Sequence, residues 1–112
     1  MRRRARVDRN QKELVQVWRE LGGSVLHTHT IPRGLDLIVG YGGIDQRVEI
    51  KDGSLKPSAR RLTSYEQETI LEWKGRPPVI WCQEEDVHAT WHELRLEMLA
   101  RKKLLRRAED GD

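Results

Sequence analysis

The sequence predicts one α/β domain: a mixed sheet flanked by helices in an αβββαβ order, followed by a long C-terminal helix. Three observations carry this. Leu14, Val17, Trp18 and Leu21 recur at helical spacing just before Gly22-Gly23. Two apolar runs, Leu35–Val39 and Arg47–Ile50, flank the turn Tyr41-Gly42-Gly43, as in a β-hairpin. A helical stretch from Tyr65 to about Lys74 then precedes the short apolar run Val79–Gln83.

With 112 residues the chain has room for a single core, at a size where oligomerisation often adds stability. It divides into a basic arm (1–7), a core (8–95) and a charged C-terminal helix and tail (96–112). The net charge is +3 and 35% of residues are charged; the basic ones cluster in the arm, after Lys51 and near the C-terminus. That distribution suits a phosphate backbone better than a membrane. No apolar run approaches the ~20 residues of a spanning helix, and the N-terminus lacks an apolar signal core. The one cysteine, Cys82, excludes an internal disulfide and a cysteine-rich zinc cluster, and a reducing cytoplasmic location is the default.

Taken in order, the arm carries Arg2, Arg3, Arg4 and Arg6, either a solvated segment or a phosphate-binding one, which are compatible readings. Asp8 with Gln11 makes a capping-box pattern opening the first helix, and Glu13 lies at the border of its apolar face. Ser24–Thr30 reads as the first strand, with His27 and His29 on one face, a metal- or phosphate-binding pair or simply a partly exposed one. Pro32-Arg33-Gly34 turns the chain, and Arg33 is placed to meet a phosphate just before Asp36. In the hairpin Glu49 and Lys51 share one face while Val48 and Ile50 take the other, and Asp36 presents its carboxylate from the neighbouring strand. Charges at strand positions need a partner or a metal when buried. Two carboxylates and an ammonium on one patch make a divalent-cation site with a lysine beside it; a turn residue and a solvated strand pair would show the same letters.

The basic loop Asp52–Leu62 carries Lys56, Arg60 and Arg61, which would hold nucleic acid or face solvent. Thr63 or Ser64 caps the second helix, Gly75 ends it, and Pro77-Pro78 keeps it from resuming. The series Gln67, Ile70, Leu71 and Lys74 places Gln67 on the inward stripe, where its amide would need partners. Val79–Gln83 reads as a central strand covered on both sides, with Cys82 as inert core. From Asp86 to about Arg107 runs the long helix, with a stripe of Val87, Trp91, Leu94 and Met98 and with Leu104 and Leu105 further along. His88 and His92 have a zinc-binding spacing, but Ala89 stands where the metalloprotease pattern needs glutamate. Arg101, Lys102, Lys103, Arg106 and Arg107 complement the helix dipole, and Glu109, Asp110 and Asp112 make an acidic end.

Leu35-Asp36 on one strand and Glu49-Ile50-Lys51 on the next resemble the motif of the PD-(D/E)XK nuclease superfamily, although Leu35 replaces the usual proline. Leu62-Thr63-Ser64-Tyr65-Glu66-Gln67 is similar to the S/T-x-x-Q element of VRR-type nucleases, and the order of elements over roughly residues 8 to 95 is that of the superfamily core. The compact VRR-type and Holliday-junction resolvase-like enzymes are the nearest in pattern. The resemblance implies a Mg²⁺- or Mn²⁺-dependent DNA endonuclease. In it Asp36, Glu49 and the Ile50 carbonyl hold the metal, and Lys51 orients or deprotonates the attacking water or contacts the phosphate. Gln67 positions water or holds Lys51, and Glu13 is the candidate for an extra acid. Arg33, Lys56, Arg60, Arg61, Arg3 and Arg4 are the expected phosphate contacts. Nothing resembles a module that reads base sequence, so branched, junction or nicked DNA is the expected substrate. A homodimer is expected from the small core, from the stripe Trp91, Leu94 and Met98, and from the need to cut two strands. The rivals are a non-cutting nucleic-acid-binding protein on the same fold and a small interaction protein that uses its C-terminal helix.

Overall fold

The computed structural model describes residues 8–110. Helix α1 (Gln11–Glu20) leads into β1 (Ser24–His27), β2 (Leu37–Tyr41) and β3 (Ile44–Ile50). A short 3₁₀ turn (Pro57–Arg60) precedes α2 (Ser64–Glu72), β4 (Val79–Trp81) and the long α3 (Glu84–Glu109). The expected order of elements is therefore observed, as a mixed four-stranded sheet flanked by helices. The strands lie side by side in sequence order, β1 to β3 antiparallel and β3 to β4 parallel.

Alternation along the central strands sorts side chains onto two unlike faces. Leu37 and Val39 of β2 and Ile44, Val48 and Ile50 of β3 point to one face, where they pack with Leu14, Val15 and Trp18 of α1, Trp81 of β4, and Val87 and Leu94 of α3. Trp18 and Trp81 are fully buried with ring centroids 5.5 Å apart. Burying each such side chain contributes roughly 1.5–3 kcal/mol, so this face holds the fold together. The opposite face carries Arg47, Glu49 and, just past the strand, Lys51. It meets α2 through polar arms: Lys51 to Glu66, and Arg47 to Trp73 at the C-terminal end of the helix. Thr69 is the one buried residue of α2.

Gly42 (φ 60°) and Gly43 (φ 80°) make the two-residue hairpin turn, a conformation that asks for positive φ at both positions. A side chain at Gly42 would also run into Met98, whose Sδ lies 2.6 Å from the site of a Cβ.

Several expectations change. α1 starts at Gln11, and the box between Asp8 and Gln11 does not form. Asn10 stands at the cap and spends its amide on the carbonyls of Lys51 and Cys82, joining the ends of β3 and β4 (3.1 and 3.0 Å). β1 stops at His27, because Thr28 turns inward to hydrogen-bond the carbonyls of Gly34 and Leu35. The β4 strand is an edge strand, not a central one: Trp81 is buried, but Ile80 on the α2 side stays 39% exposed because α2 covers that face only in part. The stripe of α3 has internal partners. Leu94 is buried, Met98 lies on Gly42, and Trp91 packs on Tyr41 and donates to the Leu21 carbonyl at 3.1 Å. The unburied apolar residues of this helix are instead Leu96, Leu99, Leu104 and Leu105. No helix among the described residues is long and apolar enough to cross a membrane.

Candidate functional site

Asp36 sits one residue before β2, where its N–H donates to the Val48 carbonyl and its own carbonyl accepts from Thr28. Those bonds fix its backbone against β3, and its carboxylate accepts from the Ile50 N–H at 2.8 Å. Only 8% of Asp36 and 4% of Glu49 is exposed. The Glu49 carboxyl lies between those of Asp36 and Glu66, close enough to share a proton with each. Lys51 closes the group, its Nζ 2.7 Å from Glu66 Oε1 and 3.6 Å from Glu49 Oε2.

The backbone leading into the site is unusual. Arg33 (φ 62°) and Leu35 (φ 53°) adopt the left-handed conformation that β-carbon sterics disfavour. Gly34 between them leaves no room for a side chain, since a Cβ would stand 2.3 Å from the Thr28 carbonyl oxygen. The tight loop folds back and makes one wall of a cleft of about 370 Å³, whose other walls are His29, Asp36, Glu49, Tyr65 and Glu66.

Four acids surround one lysine, and their acidities separate accordingly. Burial, then the neighbouring Glu66 and Asp36, push the Glu49 carboxyl up to about 10. Burial also raises Asp36, against the opposing pull of the Ile50 N–H. For Glu66 burial is outweighed by hydrogen bonds from Glu49, Lys51 and the Thr63 N–H, which hold it at about 2. Asp8 is raised by burial and by the charge of Asp36. Burial works against the Lys51 ammonium, but Glu66 and Glu49 more than offset it and the group is raised. Four carboxyl groups thus crowd one ammonium, and the crowding is met by retained protons, on Glu49 above all.

Asp36, Glu49 and Lys51, expected together, are together, and it is the Ile50 N–H, not the carbonyl expected as a metal ligand, that meets Asp36. Gln67 is not with them. It is exposed, its amide reaching only the Leu62 carbonyl at 3.4 Å, and Leu71 of the same expected stripe is 84% exposed. The inward side of α2 is one residue out of step, with Glu66, Thr69 and Trp73 turned toward the sheet. The signal for Glu66 was available: Thr63 and Glu66 form a capping box, which fixes the first turn and aims the glutamate at Lys51. Glu13 is also misplaced. It is exposed beside Lys12, Gln16 and Glu84, and the acid that reaches the cluster from the start of the chain is Asp8. Asp8 falls short of the helix, so helical spacing gave no hint of it.

Arg33 is committed to α2. Its guanidinium stacks on Tyr65 (4.6 Å), donates to Thr69 (3.2 Å) and faces Glu68 and Glu72 at 3.9 and 3.8 Å. Lys56 and Arg61 are exposed and Arg60 half-buried, and none of the three forms an ion pair among the described residues. Arg3 and Arg4 lie outside the described residues. His27 and His29 stand with ring centroids 6.3 Å apart, and His29 lines the cleft.

Among the described residues no group of three His, Cys, Asp or Glu side chains is arranged to hold a metal ion as it stands. The Lys51 ammonium is bound to Glu66 and stands 3.6 Å from Glu49 Oε2, so it competes with a cation for the same carboxyls. The donors nevertheless suit a hard divalent cation: all are carboxyl oxygens, four groups against a single lysine. Compared with models of known families, with curated proteins and with solved structures, the chain matches none.

Proposed function

We propose that the chain is a metal-dependent endonuclease of the PD-(D/E)XK kind that hydrolyses phosphodiester bonds in branched, junction or nicked DNA. The observation that carries this reading is the convergence of Asp36, Glu49, Glu66 and Lys51 in one cleft, from a strand start, a strand end and a helix start. Asp36 and Glu49 would hold Mg²⁺ or Mn²⁺, with Glu66 the further acid in reach. The cation would offset charge on the phosphoryl oxygens and acidify the attacking water. Lys51, kept as an ammonium by Glu66, donates to the phosphate or to that water and does not take up a proton. Glu66, in the role expected of Gln67, positions Lys51. Lys56, Arg60 and Arg61, on the segment that leads into α2, contact phosphates. Two strands need two sites, so the working unit is a symmetric homodimer joined through the exposed end of α3.

Incubation with linear, nicked and four-way-junction DNA in Mg²⁺, Mn²⁺ or EDTA tests the reading. Cleavage is expected with either metal and not in EDTA, and Asp36→Ala or Glu49→Ala should abolish it. Full activity in either folded variant would overturn the assignment.

A second reading is favoured by one observation, the ion pair that occupies Lys51. A protein that binds nucleic acid without cutting it has no need to free that lysine. Retained DNA binding with no cleavage in any metal selects it.

A further inference from the structure

A second cleft, of about 430 Å³, opens on the other side of the 31–34 loop and is not used by the chemistry above. Ile31, Pro32, Arg33 and Gly34 line both clefts, so a single turn of backbone separates them. Its floor is Ile38, Asp45 and Arg47 on the sheet, one carboxylate among them, and its far wall is Trp73 and Arg76. We propose that this cleft takes up an unpaired nucleobase, stacked on Trp73, from the strand whose backbone lies at the carboxylates. The proposal rests on the nuclease reading for that backbone and adds the class of substrate.

Two features point to such an occupant. The first is a fixed aromatic surface. Trp73 is 48% exposed, yet the Arg47 guanidinium lies 4.2 Å over its ring, and Gly75 meets its edge so closely that a Cβ would stand 2.8 Å from the indole nitrogen. One ring face is thus backed by a cation, and the exposed remainder stands ready for a flat partner. Stacking on such a platform accepts any base, because every base has a π-face.

The second feature is Arg47 itself. It is 8% exposed, and among the described residues no carboxylate lies within ion-pair distance of it. Its one hydrogen bond runs to the Arg33 carbonyl of the shared loop. A buried guanidinium is normally paired, and an apolar ligand would leave this one unmatched. A nucleotide supplies what is missing, an anionic phosphate and acceptor atoms on the base edge, both suited to arginine. A base can enter only when it is out of a duplex. The expected substrate therefore has an unpaired nucleotide beside the scissile phosphate, as at a flap, a gap or an open junction.

The test is binding in EDTA, where no cutting complicates the reading. Fluorescence anisotropy compares a short labelled single strand, the same strand with abasic positions, and the fully paired duplex, each as DNA and as RNA. The parent protein should bind the base-bearing strand more tightly than the abasic one. Trp73→Ala should weaken the base-bearing strand about tenfold and leave the duplex and abasic strand unchanged, while Trp73→Phe keeps most of the affinity. Should Trp73→Ala fail to fold, the unaltered protein still decides. Trp73 is the most exposed tryptophan, so its fluorescence should be quenched by the base-bearing strand and not by the abasic one. Equal affinity of the parent for the two strands, or no effect of a folded Trp73→Ala, overturns the proposal. Base-dependent binding without cleavage in Mg²⁺ supports it and removes the nuclease reading alone, whereas no binding to any strand removes both.

Discussion

Glu49 is the residue whose environment says most about the site. Holding its proton up to about 10, the folded protein takes up a proton that the unfolded chain releases above the ordinary 4.5. Stability of the cation-free protein should then fall as pH rises from about 4.5 toward 10. Glu66, held at about 2, works the other way, and its contribution is present above 4.5 and lost as pH falls toward 2. Glu49→Gln keeps the shape of the protonated acid, so in EDTA it should melt higher than the parent at pH 8, by on the order of 1–3 kcal/mol of stability, and show a flatter pH profile. Equal melting of the two proteins across pH 6 to about 9 would show that Glu49 ionises freely. The loop before the site gives a second pair of outcomes. Gly34→Ala forces a Cβ onto the Thr28 carbonyl and should cost several kcal/mol, whereas Leu35→Gly relieves a left-handed leucine and should cost little or stabilise by about 1 kcal/mol. Denaturant titration of both variants checks this, and a stable Gly34→Ala with an unstable Leu35→Gly would reverse the account.

At the scale of elements, what the sequence showed and what it hid divide along the two faces of the sheet. The hairpin was legible because Gly42-Gly43 demands its turn and the apolar alternation on either side fixes its register. The α1 stripe was legible because Leu14 and Trp18 reach an apolar core that rewards the 3.6 period. α2 gave a misleading pattern, since its inward side is built from Glu66, Thr69 and Trp73, which no hydrophobic period marks, while Leu71 faces solvent. The β4 run was read as central because Val79–Gln83 is apolar, yet its outer face lies under the helix that covers least. The expected acid-x-Lys pair stood out as a motif, but Asp8 and the role of Glu66 depend on where a non-helical segment and a helix cap happen to end. A helix bound by ion pairs and cation–π contacts should respond to salt. Raising ionic strength should speed amide exchange in α2 well before it affects α1, and equal response of the two helices would mean that α2 is held by apolar packing after all.

The whole molecule is governed by α3, which outruns the body it packs on. Leu94 is its last fully buried residue, and every described residue from Leu99 to Asp110 is exposed. The proposed dimer therefore draws on Leu99, Leu104 and Leu105 and not on the stripe of Trp91, Leu94 and Met98, which is spent inside the protomer. Sedimentation equilibrium at micromolar concentration should give twice the 13.1 kDa chain mass, and Leu104→Glu with Leu105→Glu should return it to one. A parent species at 13.1 kDa with and without DNA rules the dimer out. The choice of method matters because of the same helix. The described chain measures 59 × 27 × 24 Å with a radius of gyration of 16.1 Å, against about 13 Å for a compact chain of this length. Such a rod drags more water than a sphere of equal mass, so a single copy elutes from a sizing column early, as a larger globular protein would. Friction alone would counterfeit the second subunit.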